Sequence, residues 1–228
     1  RIRVLDEMAR SLYREWFVNY RYPGHESVPL VDSPMGRIPE GWELRAVKDV
    51  ADIHRGRSYR SKEVADEGGV PFINLKCIDR DGGFRREGIR RFVGDSPEKR
   101  AVRKGDIVMA VTDMTQERRI VARAALVPTL DAEFGVFSMD LVRIDPKTQY
   151  VKPWLYAYLR YSDCPDHLKL HANGVNVLHL AAERIAEHLV AVPPRSLMSR
   201  FGDHLAAMIE AQDVLENRIE NLRQTRDL

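Results

Sequence analysis

The C-terminal region of the chain carries two interleaved heptad repeats, and this pattern constrains the fold more than any other feature of the sequence. The two series are offset from each other by three and four positions, which is the spacing of the a and d positions of a coiled coil. A helix over residues 201–226 would be about 39 Å long at about 1.5 Å per residue. One series consists of Leu205, Gln212, Ile219 and Arg226, and the other of Phe201, Met208, Leu215 and Leu222.

This helix has two alternative packing partners, namely its own domain or a separate helix. A polar residue at an a position fixes the register of a coiled coil at some cost in stability. Gln212 and Arg226 occupy such positions, so the pattern favours a partner helix.

A second amphipathic helix is predicted at the start of the sequence. Pro23 and Gly24 end it, because proline lacks an amide donor and glycine accepts a turn. Four aromatic residues lie between positions 16 and 22, where the helix stops, and we interpret this aromatic cluster as a structural joint. The apolar stripe of the helix, with spacings of three and four, consists of Ile2, Leu5, Met8, Leu12 and Trp16.

The region between the two helices has a mixed pattern. It begins with a connection rich in proline and glycine, and ordered structure is expected to resume at Trp42. The sequence therefore predicts an α+β fold, in which a mixed domain with β-strands and short helices is flanked by long coiled-coil-type helices. Strands rich in Val, Ile and Phe are predicted at 70–78, 105–112, 119–127, 136–144 and 188–194, and short helices at 152–161 and 180–187.

The composition indicates a reducing compartment. The sequence has no apolar run of about eighteen residues, so no membrane span is predicted. Its first ten residues lack the apolar segment of a secretory signal. Cys77 and Cys164 are far apart, and neither belongs to a Cys-x-x-Cys motif. We therefore expect two buried free thiols and a cytoplasmic location.

Motifs that would indicate catalysis are weak. The tetrad Val192–Arg195 has Val where amino-methyltransferases need an amide or carboxylate, and Arg where they need an aromatic residue. Asp145-Pro146-Lys147 is of the acid-x-Lys type that metal-dependent nucleases use, but no second carboxylate spacing supports it. The histidines at 167, 171 and 179 lack a zinc-site spacing, and no phosphate-binding or dinucleotide glycine motif is present. We expect no catalytic residue and no metal site in this chain.

Several motifs, in their order along the chain, resemble half of a type I restriction-modification specificity subunit. The letters SLYREWFVNYRYPG (11–24) resemble the end of that family's central helix, and GRIPEGWEL (36–44) resembles the start of a target-recognition domain. Segments 53–78, 105–128 and 171–194 resemble its later strands and loops. The family commonly has Glu-Gln after the two prolines, whereas this chain has RSLMSRF, so Ser196 or Ser199 is expected to be the N-cap of the last helix.

The resemblance implies four segments and a function. The function implied is sequence-specific binding of double-stranded DNA, while methyltransferase and endonuclease subunits methylate adenine and cleave DNA. S-adenosylmethionine would be bound by the methyltransferase partner, and no cofactor by this chain. The segments are the end of a central helix (1–22), a linker (23–41), a DNA target-recognition domain (42–195) and a C-terminal coiled-coil helix (196–228).

The first residue lies inside the predicted helix. We therefore expect a fragment, or a half-length protein that pairs with a second copy or with the other half of the specificity subunit. Its helix would then set the gap of a split DNA target. Two alternatives remain open: the recognition module of a fused type II restriction-methylation enzyme, and a coiled-coil interaction scaffold that binds no DNA. The helix-packing residues are predicted to be Leu12, Trp16, Phe17, Leu205, Met208, Leu215, Ile219 and Leu222.

Three loops offer the chemistry that DNA recognition needs, which is cations for phosphates and flat polar groups for base edges. Residues 54–119 contain 16 Lys and Arg against 11 Asp and Glu, although the whole chain has a net charge of only +2. Gln and Asn can each pair with adenine through two hydrogen bonds, and Arg with guanine. The predicted contacts are Arg55, Arg57, Ser58, Tyr59, Arg60 and Lys62 in the first loop, Thr115, Gln116, Arg118 and Arg119 in the second, and Asn173 and Asn176 in the third.

Overall fold

The chain divides into two compact units in a computed structural model that describes residues 1–95 and 100–226. Helices and mixed sheets are both present, which confirms the predicted α+β fold class. No helix in these described ranges has the length and apolarity needed to cross a bilayer. The helical unit consists of residues 1–44, 148–162 and the chain from 191 onward, and the central unit consists of residues 45–147 and 163–190.

The helices and strands are numbered along the chain. The helices are α1 (Ile2–Tyr13), α2 (Val47–Val50), α3 (Val151–Tyr161), α4 (Cys164–Leu168), α5 (Ala182–Ala186) and α6 (Arg195–Arg226). The strands are β1 (Leu30–Ser33), β2 (Gly36–Pro39), β3 (Glu43–Ala46), β4 (Ala51–Arg55), β5 (Val64–Ala65), β6 (Val70–Ile73), β7 (Arg90–Phe92), β8 (Ala101–Val102), β9 (Ile107–Ala110), β10 (Thr112–Asp113), β11 (Ala124–Leu126), β12 (Gly135–Phe137), β13 (Leu141–Pro146), β14 (Leu178–His179) and β15 (Leu189–Val192).

The aromatic cluster at the end of the first helix is an internal joint of the helical unit. Helix α1 continues into a π-helical turn at Arg14–Val18, and both Trp16 and Phe17 of this turn are buried. Phe17 packs edge-on against Phe201 of α6, with 4.8 Å between the ring centroids. Its ring also lies 6.0 Å from that of Trp42. The aromatic residues therefore pack the end of α1 against α6 and against Trp42 within this unit.

Helix α6 begins earlier than its expected cap. The amides of Leu197 and Met198 donate to the carbonyl of Pro194, at 3.0 and 3.1 Å. The predicted N-cap at Ser196 or Ser199 is therefore wrong, because both serines already lie inside the helix. Proline fixes a φ that suits helix entry, so Pro194 can precede the first turn without a capping side chain. The last two residues of the predicted helix, 227–228, lie outside the described residues.

The first half of α6 packs on its own unit, which is one of the two packing partners considered for this helix. Phe201 and Leu205 are fully buried, and Gln212 Nε2 donates to the Ile2 carbonyl of α1 at 3.4 Å. In the second half, by contrast, Ile219 is 41% exposed and Leu222 is 69% exposed. The partly buried members of the predicted helix-packing set are Leu12, Met208 and Leu215.

Helix α3 has the predicted bounds to within a residue, but it belongs to the helical unit and not to the domain predicted over 42–195. The reason is a contact between residues far apart in the sequence. Arg160 Nη2 and the Tyr161 hydroxyl both donate to Asp6 Oδ1 of α1, at 2.6 and 2.9 Å. The predicted linker, 23–41, also contains more structure than expected, because β1 and β2 form an antiparallel hairpin within it.

The two largest sheets of the described residues lie in the central unit. One is antiparallel with the strand order β11-β9-β13-β4, and the other has the order β5-β7-β6-β12-β8, in which β12 runs parallel to β6. Side chains from both sheets share one apolar core, including Ile73, Val108 and Phe137, all fully buried. Cys77 and Cys164 are both buried, and neither forms a disulfide bond, as predicted. Burial raises the pKa of Cys77 to about 12.

The predicted strands are all shorter than their apolar patterns suggest. The segment 70–78, for example, is extended only at Val70–Ile73 and then forms a 3-10 turn at Leu75–Cys77. The segment 136–144 is divided by a turn at residues 138–140, where the amide of Leu141 donates to the Ser138 carbonyl. In the segment 119–127 only β11 is extended. The interruption of 136–144 is a turn between two of the loops described next, and that of 119–127 directly follows one of them.

Candidate nucleic-acid interface

The three predicted loops lie side by side in the central unit. We name them the arginine loop (54–62), the glutamine loop (112–119) and the asparagine loop (172–176), and we name residues 138–140 the bridging turn. Their positions follow from a row of hydrogen bonds that runs from the first loop to the last.

The bridging turn joins the arginine loop to the glutamine loop. The Met139 amide donates to the Arg57 carbonyl at 2.8 Å, and the Arg57 amide donates to the Phe137 carbonyl at 3.0 Å. On its other side, the Asp140 carbonyl accepts from the amide of Val111 at 2.9 Å. Val111 directly precedes the glutamine loop, so the turn lies between the two loops.

The glutamine loop is joined to the asparagine loop by main chain and side chain. Strand β10, at the start of the glutamine loop, pairs with β14, just after the asparagine loop. Gln116 Nε2 donates to the carbonyl of Val175 at 2.7 Å. The amide nitrogen of Gln116 carries two N–H groups, so this bond occupies one of them.

Glycine is required at two of these junctions. A Cβ on Gly56 would lie 2.0 Å from the Ser138 carbonyl oxygen, so any side chain there would separate the arginine loop from the bridging turn. Gly174 has a φ of +149°, and a Cβ on it would lie 1.9 Å from the Val177 carbonyl oxygen. Both close approaches depend on the missing side chain.

Asp113 organises the glutamine loop from within. Asp113 is only 4% exposed. Its Oδ1 accepts hydrogen bonds from the amide and the hydroxyl of Thr115, at 2.8 and 2.9 Å. Oδ2 accepts from the amides of Ile120 and Val121 at 2.8 and 3.4 Å. Burial alone would raise the pKa of Asp113, but these hydrogen bonds outweigh it and hold the pKa below its usual value. The loop is therefore folded around a carboxylate, which also explains why residues 120 and 121 are not in a strand.

The predicted cations of the arginine loop differ in their surroundings. Arg57 is half-buried: its guanidinium lies over the Phe92 ring at 4.5 Å, donates to the Asp95 carbonyl and pairs with Glu63. Arg55 pairs with Glu183 at 3.2 Å, but both side chains are largely exposed. Three other residues of this loop are exposed, namely Ser58, Arg60 and Lys62. Tyr59 is 39% exposed, and its ring lies edge-on to that of Phe72.

Among the other predicted contacts, some side chains bond to groups within the protein and some are exposed. Arg119 pairs with Glu117 at 2.6 Å, and Arg118 adopts a left-handed φ of 53° at the tip of the turn. Asn173 Nδ2 donates to the His171 carbonyl at 3.0 Å and so closes the asparagine loop, whereas Asn176 is exposed beside it. The structure thus brings all twelve predicted contacts onto three adjacent loops. Six of them have side-chain hydrogen bonds or ion pairs within the protein, namely Arg55, Arg57, Thr115, Gln116, Arg119 and Asn173.

Sequence reasoning missed Asp113 and the bridging turn. The Asp113-x-Thr115 spacing is that of an Asx turn, in which an aspartate accepts from the amide two residues later, and it could have been recognised. The bridging turn was not predicted, because the apolar residues on both sides of it have the pattern of one continuous strand over 136–144. Within the described ranges, no group of three or more His, Cys, Asp or Glu side chains is placed to hold a metal ion.

The sheets and loops define an α+β domain that presents a row of polar and cationic side chains, as recognition domains do. Residues 39–223 match the family described as the type I restriction modification DNA specificity domain, and the chain belongs to this family.

One curated protein and two solved structures are similar to the chain. The chain is 20% identical over 232 residues to the type I restriction enzyme MjaIX specificity subunit of Methanocaldococcus jannaschii, covering 98% of the chain and 50% of that protein. Its fold is similar to the type I restriction-modification S subunit from M. genitalium, with a TM-score of 0.62, 14% identity, and coverage of 99% and 53%. It is also similar to the HsdS subunit from Thermoanaerobacter tengcongensis, with a TM-score of 0.55, 17% identity, and coverage of 95% and 46%. The chain spans about half the length of each of these relatives.

Proposed function

We propose that the chain recognises a DNA sequence on behalf of a type I restriction-modification complex. In this proposal the methyltransferase and endonuclease subunits of the same system methylate adenine and cleave DNA, and S-adenosylmethionine is bound by the methyltransferase. The chain itself supplies binding and no catalysis. The observation that carries the proposal is the row of three loops, which places cationic and amide side chains next to one another on one connected surface.

Different side chains of the loops would provide affinity and specificity. Phosphate contacts from Lys and Arg position a protein on DNA, and side chains that reach base edges select the sequence. Arg60 and Lys62 are exposed and suit phosphates, whereas Gln116 and Asn176 carry the amides that can read adenine. The exposed a and d positions at Ile219 and Leu222 offer a partner helix a surface in the assembled complex.

The first test measures binding to mixed-sequence duplex DNA by fluorescence anisotropy as the salt concentration is varied. For the full chain we expect affinity of about micromolar at low salt, decreasing steeply as salt is added. An affinity below detection in dilute buffer would contradict the proposal, because even non-specific binding depends on these cations.

Lys62→Ala is expected to lower affinity for all duplexes alike and to flatten the slope of log K against log salt by about one, since one phosphate contact is lost. Arg57→Ala should instead lower stability, because Arg57 is held by Phe92, Asp95 and Glu63. Lys48→Ala, which removes an exposed cation from α2, is the matched control and should leave the slope unchanged. An unchanged slope for Lys62→Ala would show that this lysine does not contact phosphate.

Asn176→Ala is expected to relax specificity at one base pair, at a cost of about 1–3 kcal/mol for the preferred base. The same change is expected for Gln116→Ala at a different base pair, together with loosening of the asparagine loop through the lost bond to Val175. Binding profiles on a randomised duplex library measure both effects. A profile identical to that of the wild type would reject the assignment of that residue.

A further inference from the structure

Three apolar side chains stand out on the loops and the bridging turn. Met114 is 67% exposed, Met139 is 51% exposed and Val175 is 90% exposed. Single exposed apolar residues are ordinary on protein surfaces and need no explanation. These three are different because Met114 and Val175 lie within loops that the proposed function assigns to DNA, and Met139 lies in the bridging turn between two of those loops.

The hydrogen-bond row places the three segments in one order. Met139 donates its amide to the Arg57 carbonyl, and its neighbour Asp140 accepts from Val111. Met114 follows three residues after Val111. Val175 accepts from Gln116, two residues beyond Met114, at 2.7 Å. Apolar side chains are therefore interspersed among the cationic and amide side chains of this surface.

Base edges offer one apolar group of matching chemistry. In the major groove, each base pair shows a pattern of hydrogen-bond donors and acceptors, and thymine adds its C5-methyl group. Contact with an apolar side chain removes both the methyl group and the side chain from water, whereas the amides and guanidiniums beside them cannot do so. Methionine is unbranched and flexible, which suits a group that must adapt to a base edge.

We infer that Met114, Met139 and Val175 form an apolar specificity site that reads thymine methyl groups in the target DNA. The inference rests on the proposed function and deepens it. The amide-bearing residues would then identify adenine on one strand, and the apolar residues would identify thymine through a contact that involves no hydrogen bond.

The test removes the methyl group without changing base pairing. The full chain, together with its methyltransferase partner, is used to select a preferred duplex from a random library. Each thymine of that duplex is then replaced singly by deoxyuridine. We expect at least one replacement to weaken binding about fourfold, which is the effect of losing one buried methyl-sized group. Met114→Ala, Met139→Ala or Val175→Ala should abolish the difference between thymine and uracil at that position.

Leu189→Ala is the matched control, because it removes an exposed apolar side chain of similar size from β15, which is not part of the loops or the bridging turn. It should distinguish thymine from uracil as the wild type does. The inference is overturned if a motif is selected but every uracil replacement is tolerated, if the motif lacks thymine, or if the discrimination is the same in all three variants or is lost equally in the control. In each of those results the proposed function stands. If no motif is selected at all, the proposed function itself fails.

Discussion

Asp113→Asn is expected to abolish selective DNA binding and to lower the free energy of unfolding by about 3 kcal/mol or more. The carboxylate accepts four hydrogen bonds through both of its oxygens. An asparagine has one oxygen, so its NH2 group must face either the amide of Thr115 or the amides of Ile120 and Val121, and none of these amides can accept a hydrogen bond. At least one backbone amide is left without its acceptor, and the bonds that remain lose the charge of the carboxylate. A hydrogen bond to a charged group contributes about 1.5–3 kcal/mol, and an unpaired buried donor costs about 1–3 kcal/mol more. The glutamine loop should therefore lose its fold.

Urea denaturation and binding to the selected duplex measure the two consequences. Asp79→Asn is the matched control, because Asp79 Oδ1 accepts one bond, from the amide of Asp81, that asparagine can also accept. The control should change stability by less than about 0.5 kcal/mol. Equal stability and equal selectivity of Asp113→Asn and the wild type would show that the carboxylate does not organise the loop.

The difference between the wild type and Asp113→Asn should depend on pH in a defined direction. The folded pKa of Asp113 is lowered, so the carboxylate stabilises the fold above the pKa of the unfolded chain. This contribution should be constant from neutral pH to about pH 5, and it should decrease as the pH falls through the lowered folded pKa. The two denaturation free energies should therefore converge in acid, separate as the pH is raised to about 5, and keep a constant difference from there to neutrality.

Asp6→Ala is expected to destabilise the helical unit by about 3–5 kcal/mol, because it leaves a buried guanidinium without its counter-ion. The side chains of Arg160 and Asp6 are only 12% and 24% exposed. Within the described part of the chain, Arg160 Nε has no hydrogen-bond partner, so the guanidinium depends on Asp6 and the Tyr156 hydroxyl. Burial alone would lower the pKa of Arg160, but Tyr156, Tyr161 and Asp6 raise it above its usual value, and the charge persists at every working pH.

Chemical denaturation compares this variant with Asp66→Ala, which removes the acid of an exposed ion pair with Arg90. The exposed pair should contribute less than about 1 kcal/mol. The double variant Asp6→Ala/Arg160→Met should recover part of the loss, because an apolar side chain of similar length needs no counter-ion. A loss for Asp6→Ala no larger than that for Asp66→Ala would show that the buried pair does not hold α1 to α3.

The elements set by local periodicity could be predicted from the sequence. The apolar stripes of α1 and α6 and the position of Pro153 in the first turn of α3 depend only on neighbouring residues. What could not be predicted depends on contacts between distant residues. Helix α3 joins the helical unit through Asp6, which lies 154 residues before Arg160.

The same distinction applies to the candidate interface. The three loops could be recognised from their glycines, cations and amides, since these are local signals. Their adjacency could not, because it depends on the bridging turn and on bonds such as the one between Gln116 and Val175. The internal roles of Arg57 and Asn173 likewise depend on Phe92 and on the backbone around His171, which no spacing indicates.

Selection from random duplexes tests the central claim most directly. The full chain, alone and with a methyltransferase of its system, is incubated with the library at low and moderate salt, and bound DNA is sequenced. We expect the assembled protein to enrich one motif, and Asp113→Asn to bind DNA without enriching it. A library that remains random after repeated selection, with no retention of DNA even in dilute buffer, would contradict the account.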